Sequence, residues 1–194
     1  MNKIKLGFAI CGSFCTHAEN VRLMETLAGM DYDILPILSF NAARMDTRFG
    51  KARELIEQVE SICGKKVICS IEAAEPIGPK HMTDILLVSP CTGNTLAKLA
   101  YSIIDTPVTM AVKSHLRNHL PVVLAVSTND ALSGCAKNIG TLSNYRNFYF
   151  VPLAQDNFRQ KPTSLVAKFD LAPQTIEAAL QGIQIEPVLL SPHG

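Results

Sequence analysis

The chain has 194 residues, of which 47% are hydrophobic and 18% are charged, and its formal net charge is +1. The length allows one sizeable α/β domain, and the hydrophobic fraction is large enough to fill its core. The near-zero net charge gives no basis for binding polyanions, so we expect neither nucleic acid nor an anionic membrane as a partner. No apolar stretch approaches the roughly 20 residues of a membrane span, so we expect no membrane insertion.

The N-terminus and the cysteines predict the compartment. The first 15 residues have the outline of a short signal peptide, but Gly7, Gly12 and Ser13 interrupt the apolar run, which we interpret as a strand and a turn. The cysteines show no paired zinc spacing, so we expect a reduced cytoplasmic protein with no metal site. The six cysteines are Cys11, Cys15, Cys63, Cys69, Cys91 and Cys135.

Apolar runs alternate with amphipathic segments along the chain. This alternation predicts a Rossmann-like, doubly wound α/β fold in which helices flank a mostly parallel six-stranded sheet. Pro76, Gly78 and Pro79 disfavour regular structure between residues 71 and 83. The expected strands are at residues 3–11, 33–38, 66–69, 85–88, 121–126 and 145–152.

The first two turns of this fold carry small polar residues. Gly12 and Ser13 follow the first strand and permit close approach of a ligand to the backbone. Ser39 follows the second strand, so Ser13 and Ser39 can face one ligand at the sheet edge, although simple loop polarity explains them equally well. The basic segment that comes next is either a solvated helix face or a clamp for a carboxylate, with Arg44 or Arg48 as the candidate.

Residues 84–100 form the most informative stretch. An apolar run predicts a buried strand over 85–88, a polar turn follows at 89–93, and apolar residues then recur at helical spacing. A strand, a polar turn and a helix place backbone N–H groups at a crevice, which suits an anionic or planar cofactor. An ordinary turn explains the same pattern if its polar residues only cap the helix, namely Thr92, Asn94 or Thr95.

The remaining segments add one more polar turn and a tail. Residues 127–130 follow the fifth strand and again carry hydroxyl and amide groups. His115 and His119 share a helical face, but no third ligand can be placed for a metal. The prolines of the C-terminal part predict a domain over residues 1–155 and a tail over 156–194. The tail is expected to contain one short helix and to pack on a neighbouring subunit or stay partly mobile.

None of these turns contains a defensible nucleophile–base pair. The dinucleotide fingerprint and the phosphate-binding loop of nucleoside triphosphatases are also absent from the sequence. Any chemistry should therefore come from a bound cofactor, for which the protein supplies binding and orientation.

One motif resembles a known family. The segment Pro90-Cys-Thr-Gly-Asn-Thr-Leu-Ala-Lys98 is similar to Pro-x-Ser-Ala-Asn-Thr-x-x-Lys, the signature of homo-oligomeric flavin-containing cysteine decarboxylases and flavin prenyltransferases. The resemblance spans about residues 3 to 145. It includes Gly12-Ser13, Ser39 and Asp105, and it places residues 125–129 at the family's Ala-Pro-Ala-Met-Asn motif.

This flavoprotein resemblance implies an FMN site. It implies that Ser13, Ser39 and backbone N–H groups of the first turn hold the phosphate, and that the turn 92–95 contacts the ring. Asn129 and Arg44 are the candidates for the substrate side, since an Arg fork matches a carboxylate. The implied cofactor-binding residues are Gly12, Ser13, Phe14, Ser39, Asn41, Ser89, Pro90, Thr92, Gly93, Asn94, Thr95, Ser127 and Asn129.

Two departures from the family pattern argue against decarboxylation of a peptidyl or pantothenoyl cysteine. The family's catalytic His has no counterpart in residues 75–80, and His81 is out of register. Val126-Ser127-Thr128 replaces the family's substrate motif Pro-Ala-Met.

Within the superfamily, the chain most resembles the B subunits of dipicolinate synthases. This implies an oxidoreductase subunit in the mother-cell cytoplasm of a spore-forming bacterium, acting with a nicotinamide-binding A subunit that carries NADP. The pair would form dipicolinate, a small dicarboxylate, from the dihydrodipicolinate synthase product. A trimer-built homo-oligomer, often a dodecamer, is also implied. The alternatives are a flavin-dependent decarboxylase or prenyltransferase on the same fold, or a non-catalytic FMN-binding scaffold for the A subunit.

Overall fold

The computed structural model of the chain describes residues 3–191. Within these residues, strands and helices alternate through most of the chain. The strands are β1 (Ile4–Ile10), β2 (Tyr32–Leu38), β3 (Ile85–Cys91), β4 (Val122–Thr128), β5 (Phe148–Phe150), β6 (Leu153–Ala154) and β7 (Leu165–Ala167). The helices are α1 (His17–Ala28), α2 (Phe40–Arg44), α3 (Ala52–Cys63), α4 (Ile71–Ala74), α5 (Gly93–Ala100), α6 (Pro107–Leu116), α7 (Ala136–Ser143) and α8 (Ala172–Leu180).

The sheet is mostly parallel, as predicted, and helices flank it. Strands β2, β1, β3 and β4 lie side by side in that order, and β5 continues the parallel pairing beyond the first half of β4. The chain therefore reverses its winding direction between β1 and β3. In open α/β sheets, ligands bind outside the carboxyl ends of the strands at such a reversal.

The central strands form the core. All seven residues of β3 are buried, as are the first six residues of β4, because helices cover both faces of the sheet. Such strands have near-continuous apolar sequences, which is why both were detectable from the sequence. None of the helices in the described part of the chain is long and apolar enough to cross a membrane.

Two predictions between β2 and β3 were wrong. The expected strand at 66–69 is reduced to one bridge, in which Ile68 pairs with Ile37. The expected irregular loop at 71–83 begins with α4 and a 3-10 turn over Glu75–Ile77. Pro76 does not prevent this turn, because it lies in the first positions, where a backbone N–H has no intrahelical partner.

The sheet has seven strands rather than six, because β6 and β7 add an antiparallel pair. They contain only two and three residues, too few for a periodic pattern. Strand β7 pairs with Ser127 and Thr128 of β4, and Ala172, Ile176 and Ala179 of α8 are buried in the common core. The structure thus joins residues on both sides of position 155 in one sheet, and the division of the chain at that position stays a prediction.

Candidate functional site

A cleft of about 620 Å³ lies at the carboxyl ends of β1, β3 and β4. This volume falls within the range of roughly 300–1,000 Å³ that is typical of small-molecule and cofactor sites. Its walls come from the turns after these strands and from the segment that leads into β7. The lining residues are Gly12, Ser13, Cys15, Thr16, Thr92, Ser127, Thr128, Asn129, Asp156, Lys161, Ser164 and Val166.

The turn after β1 meets the carboxyl end of β4 in this cleft. The hydroxyl oxygens of Ser13 and Ser127 lie 3.0 Å apart and share a hydrogen bond. Thr16 donates its hydroxyl to the carbonyl of Ser13 at 2.9 Å, which fixes the first turn. The two serines therefore present a pair of hydroxyl groups at one point of the cleft, although they are 114 residues apart in the sequence.

The turn after β3 forms the adjoining wall. Thr92 caps α5, since its hydroxyl oxygen accepts a hydrogen bond from the backbone N–H of Thr95 at 3.3 Å. Gly93 packs tightly behind it, because a Cβ there would lie 2.7 Å from the Thr128 hydroxyl and 2.8 Å from the Cys135 sulfur. Glycine at this position lets the start of α5 contact the turn after β4.

Asp130 stabilises the contact between the start of α5 and the turn after β4. Its carboxylate accepts hydrogen bonds from the Thr128 hydroxyl and, at 3.2 Å, from the Cys135 thiol. The hydrogen bond from Thr128 is the main reason that the pKa of Asp130 lies below its ordinary value. Burial and this carboxylate raise the pKa of the Cys135 thiol to about 11. Asp130 is therefore a structural anion that orders the turn bearing Asn129.

The side chains below the cleft belong to the core. Ser89 is fully buried and donates its hydroxyl to the side-chain oxygen of Asn20. Thr95 donates its hydroxyl to the sulfur of Cys11 at 3.3 Å. Burial raises the pKa of the Cys11 thiol to about 11 and that of Cys91 well above its ordinary value. These thiols remain protonated at neutral pH and are unsuited to act as nucleophiles.

The segment between β6 and β7 supplies the only charged side chains of the cleft within the described residues. Nζ of Lys161 lies 2.9 Å from Oδ2 of Asp156. The hydroxyl of Thr163 donates to the carbonyl of Asn129 at 2.6 Å, which ties this segment to the turn after β4. Sequence reasoning missed Lys161 and Asp156, because no local pattern places residues 156–161 beside that turn.

Five of the implied cofactor-binding residues line the cleft, namely Gly12, Ser13, Thr92, Ser127 and Asn129. Asn41 lies next to the first turn, since its Cβ is 3.4 Å from the position that a Cβ on Gly12 would take. Ser39 is buried and caps α2 by accepting a hydrogen bond from the N–H of Ala42 at 3.2 Å. The other implied residues do not line the cleft: Phe14, Ser89, Pro90, Gly93, Asn94 and Thr95. Their roles toward a ligand stay predictions.

The two candidates for the substrate side lie in different places. Asn129 lines the cleft. Arg44 is exposed on α2, where its guanidinium carbon lies 4.6 Å from the centre of the Phe40 ring, and it is not among the cleft residues.

The histidines within residues 3–191 also lie outside the cleft. The Nε2 of His17 lies 2.7 Å from the carbonyl oxygen of Cys11, and burial lowers the pKa of this imidazole. His81 precedes β3 and therefore lies toward the amino-terminal end of the strands. In the part of the chain that the structure describes, no three His, Cys, Asp or Glu residues are grouped so as to hold a metal ion.

Comparison with known proteins identifies the family. The sequence profile described as Flavoprotein matches residues 1–170. The chain belongs to the flavoprotein family. It is 42% identical to the B subunit of dipicolinate synthase from Bacillus subtilis (strain 168) over 186 residues, which are 96% of this chain and 93% of that relative.

Solved structures agree with this membership. The structure of the dipicolinate synthase B subunit from Bacillus halodurans C is 41% identical, with a TM-score of 0.89 over 98% of this chain and 99% of that chain. A dodecameric FMN-dependent UbiX-like decarboxylase from Escherichia coli O157:H7 is 22% identical, with a TM-score of 0.62 over 77% of this chain and 80% of that chain. The decarboxylase therefore shares the fold of this flavoprotein.

The cleft residues suit the flavin that the family implies. The cleft has the volume of a cofactor site, and hydroxyl groups converge on it from the carboxyl ends of three strands. Gly12 leaves its part of the cleft wall without a side chain, so a ligand can approach the backbone there. The sheet also reverses direction at this edge, where doubly wound folds bind nucleotides.

Proposed function

We propose that this chain is the flavoprotein subunit of a dipicolinate synthase. In this proposal it binds FMN in the hydroxyl-lined cleft and acts with an NADP-binding A subunit to form dipicolinate from the dihydrodipicolinate synthase product. The observation that carries the proposal is the 42% identity to the dipicolinate synthase B subunit of Bacillus subtilis, because it extends over 93% of that relative.

The residues of the cleft divide into two groups in this proposal. Ser13, Ser127 and backbone N–H groups of the first turn would hold the FMN phosphate, since hydroxyl and amide donors form strong hydrogen bonds to an anion. Thr92 and the start of α5 would contact the ring, and Asn94 and Thr95 are the predicted contacts of its polar edge. The first group sets affinity and the second sets the orientation of the ring.

The chain's own contribution to the reaction would be binding and orientation. Formation of dipicolinate requires an aromatising oxidation. A bound flavin would supply an acceptor for the hydride equivalent, with NADP+ on the A subunit as the terminal oxidant. Asn129 would orient the substrate through its amide, because it lies at the cleft on a turn that Asp130 and Thr163 hold. This role requires no titrating residue in the cleft.

A non-catalytic scaffold for the A subunit is the second candidate. Among the described residues that line the cleft, Lys161 is the one cation and Asp156 the one carboxylate. They are paired with each other, so neither is poised as a general acid or base. The decarboxylase alternative is less favoured, because no described residue lining the cleft is a histidine. The prenyltransferase alternative rests on the shared fold alone.

Assembly and location complete the proposal. A related fold forms a dodecamer in the UbiX-like decarboxylase of Escherichia coli, which supports a homo-oligomer, either a trimer or a dodecamer. The similarity to the B subunit of a dipicolinate synthase supports a role in spore formation in the cytoplasm of the mother cell.

Reconstituted turnover tests this function. The chain and its A subunit are mixed with the dihydrodipicolinate synthase product and NADP+ as the terminal oxidant, and dipicolinate is measured with and without FMN. We expect FMN-dependent product formation that Asn129→Ala lowers at least tenfold, whereas unchanged turnover in this variant would favour the scaffold. Absence of product with both subunits and FMN present would contradict the proposal.

A further inference from the structure

The described residues of the cleft include one ion pair, which lies among neutral polar groups. Of the cleft residues within positions 3–191, Lys161 has the only cationic side chain and Asp156 the only carboxylate. The side chain of Lys161 is 56% exposed, although its Nζ lies 2.9 Å from Oδ2 of Asp156. The ammonium group therefore has room for a second anionic partner from the cleft.

The backbone around Lys161 is fixed to the site. The N–H of Lys161 donates to the carbonyl of Asn157 at 2.7 Å. Two residues further on, Thr163 donates its hydroxyl to the Asn129 carbonyl at 2.6 Å and accepts the N–H of Leu132 at 2.9 Å. Lys161 is thus held beside the turn that bears Asn129.

The ion pair with Asp156 is exchangeable. The side chain of Asp156 is 29% exposed, so water reaches both partners of this pair. Ion pairs at such solvent-accessible positions contribute little net free energy. An incoming carboxylate can therefore replace Asp156 as the partner of Lys161 at low cost. The other candidate cation, Arg44, is not among the cleft residues and contacts the Phe40 ring instead.

We propose that Lys161 recognises a carboxylate of the substrate, and that Asp156 holds Lys161 in the cleft and competes with that carboxylate. This inference rests on the proposed function, because it names the residue that selects a small dicarboxylate in the same cleft. Lys161 would act as a point charge on one carboxylate, without the two parallel hydrogen bonds that an arginine fork makes to both oxygens of a carboxylate.

Ligand binding tests the inference without reference to turnover. Pyridine-2,6-dicarboxylate and unsubstituted pyridine are titrated into the FMN-loaded chain by calorimetry in metal-free buffer. Lys161→Met is expected to weaken dicarboxylate binding at least tenfold and to leave pyridine binding unchanged. Lys113→Met removes an exposed lysine of α6 that does not line the cleft, and it should change neither affinity.

Asp156→Asn should change dicarboxylate affinity in the opposite direction to Lys161→Met. It removes the intramolecular competitor and leaves Lys161 in place, so dicarboxylate affinity should rise at least threefold. FMN affinity, followed separately by fluorescence, should stay within twofold of the wild type in all three variants. Weaker dicarboxylate binding in Asp156→Asn would contradict the proposed competition between Asp156 and the substrate carboxylate for Lys161.

The possible failures are distinguishable. Equal dicarboxylate affinity in the wild type and in Lys161→Met would contradict the role of Lys161 and leave the proposed function standing. No dicarboxylate binding by the FMN-loaded wild type would contradict both. If Lys161→Met lost FMN and the dicarboxylate together, the lysine would serve the cofactor and the inference would be wrong.

Discussion

The two ends of the parallel sheet use hydroxyl groups in different ways. At the carboxyl end, Ser13 and Ser127 bond to each other at the wall of an open cleft. At the amino end, the Thr83 hydroxyl lies 2.8 Å from Nδ1 of His115, whose Nε2 lies 3.0 Å from the carbonyl oxygen of Pro121. The first network faces a space for a ligand, and the second is closed.

This difference separates groups that serve binding from groups that serve folding. Among the described residues, every fully buried side-chain nitrogen or oxygen has a hydrogen-bond partner. Removing a partner from the closed network leaves a buried group unsatisfied, which costs stability. Removing a hydroxyl from the cleft wall leaves its partner within reach of water or a ligand. Substitutions in a closed, buried network should therefore lower stability, and substitutions in the cleft wall should lower affinity.

The largest effect is expected at Gly78, whose backbone N–H donates to the Ser114 hydroxyl at 2.8 Å near the closed network. A Cβ there would lie only 1.9 Å from the backbone oxygen of Ser114 on α6, so Gly78→Ala should destabilise the protein by about 3 kcal/mol or more. Gly140→Ala is the control, because a Cβ on Gly140 meets no atom within 4 Å and alanine favours the helix. Urea unfolding measures both, and equal stabilities would contradict the packing described for the amino end.

The second prediction concerns pH. Burial lowers the pKa of His115 to about 4, so the folded protein keeps this imidazole neutral while the unfolded chain binds a proton below its ordinary value of 6.5. Stability should therefore fall as the pH drops from about 6.5 towards 4, by about 2 kcal/mol at pH 5 from this residue.

Urea unfolding of the wild type and of His115→Gln at pH 7.5 and pH 5 measures the contribution of His115 to the pH dependence of stability. The variant should be less stable at pH 7.5 but should lose less stability between the two pH values. An identical loss in both proteins would assign the pH dependence to other groups.

The third prediction compares two serines that the sequence alone assigned to one cofactor site. Ser89→Ala removes the buried donor to Asn20, so it should cost about 1.5 kcal/mol of stability and leave FMN affinity nearly unchanged. Ser13→Ala removes a hydroxyl of the cleft wall, so it should weaken FMN binding about tenfold and cost about 0.5 kcal/mol of stability. The reverse pattern would contradict the division between the two roles.

The smallest effect is expected for Arg44→Ala. Its guanidinium stacks on the exposed side of Phe40, and such a cation–π contact is worth about 0.5 kcal/mol at an exposed position. Urea unfolding should detect a loss of this size, and a loss above about 2 kcal/mol would reveal a contact that the structure does not contain.

The central strands could be predicted because burial on both faces leaves an uninterrupted apolar sequence. The expected end of β3 at Val88 was too early, since the strand continues to Cys91. That error explains why Ser89 and Pro90 were assigned to the turn, whereas they lie within the sheet and are buried. A serine and a proline interrupt the apolar pattern even where the strand continues.

The site was predictable only where it is made of turns after strands. The carboxyl ends of neighbouring parallel strands converge, so the polar residues at Ser13, Thr92 and Ser127 could be expected to meet. The expected end of the strand before Ser127 was too early, because β4 continues to Thr128. Lys161 could not be placed in this way. It reaches the cleft through two short antiparallel strands and the hydrogen bond from Thr163 to Asn129, which are tertiary features without a local sequence pattern.

The most direct test of the central claim is a titration of the purified chain with FMN, followed by flavin absorption and fluorescence. We expect saturable binding that survives gel filtration and alters the flavin bands. A chain that leaves the spectrum and the fluorescence of FMN unchanged would contradict the assignment of the hydroxyl-lined cleft as a flavin site.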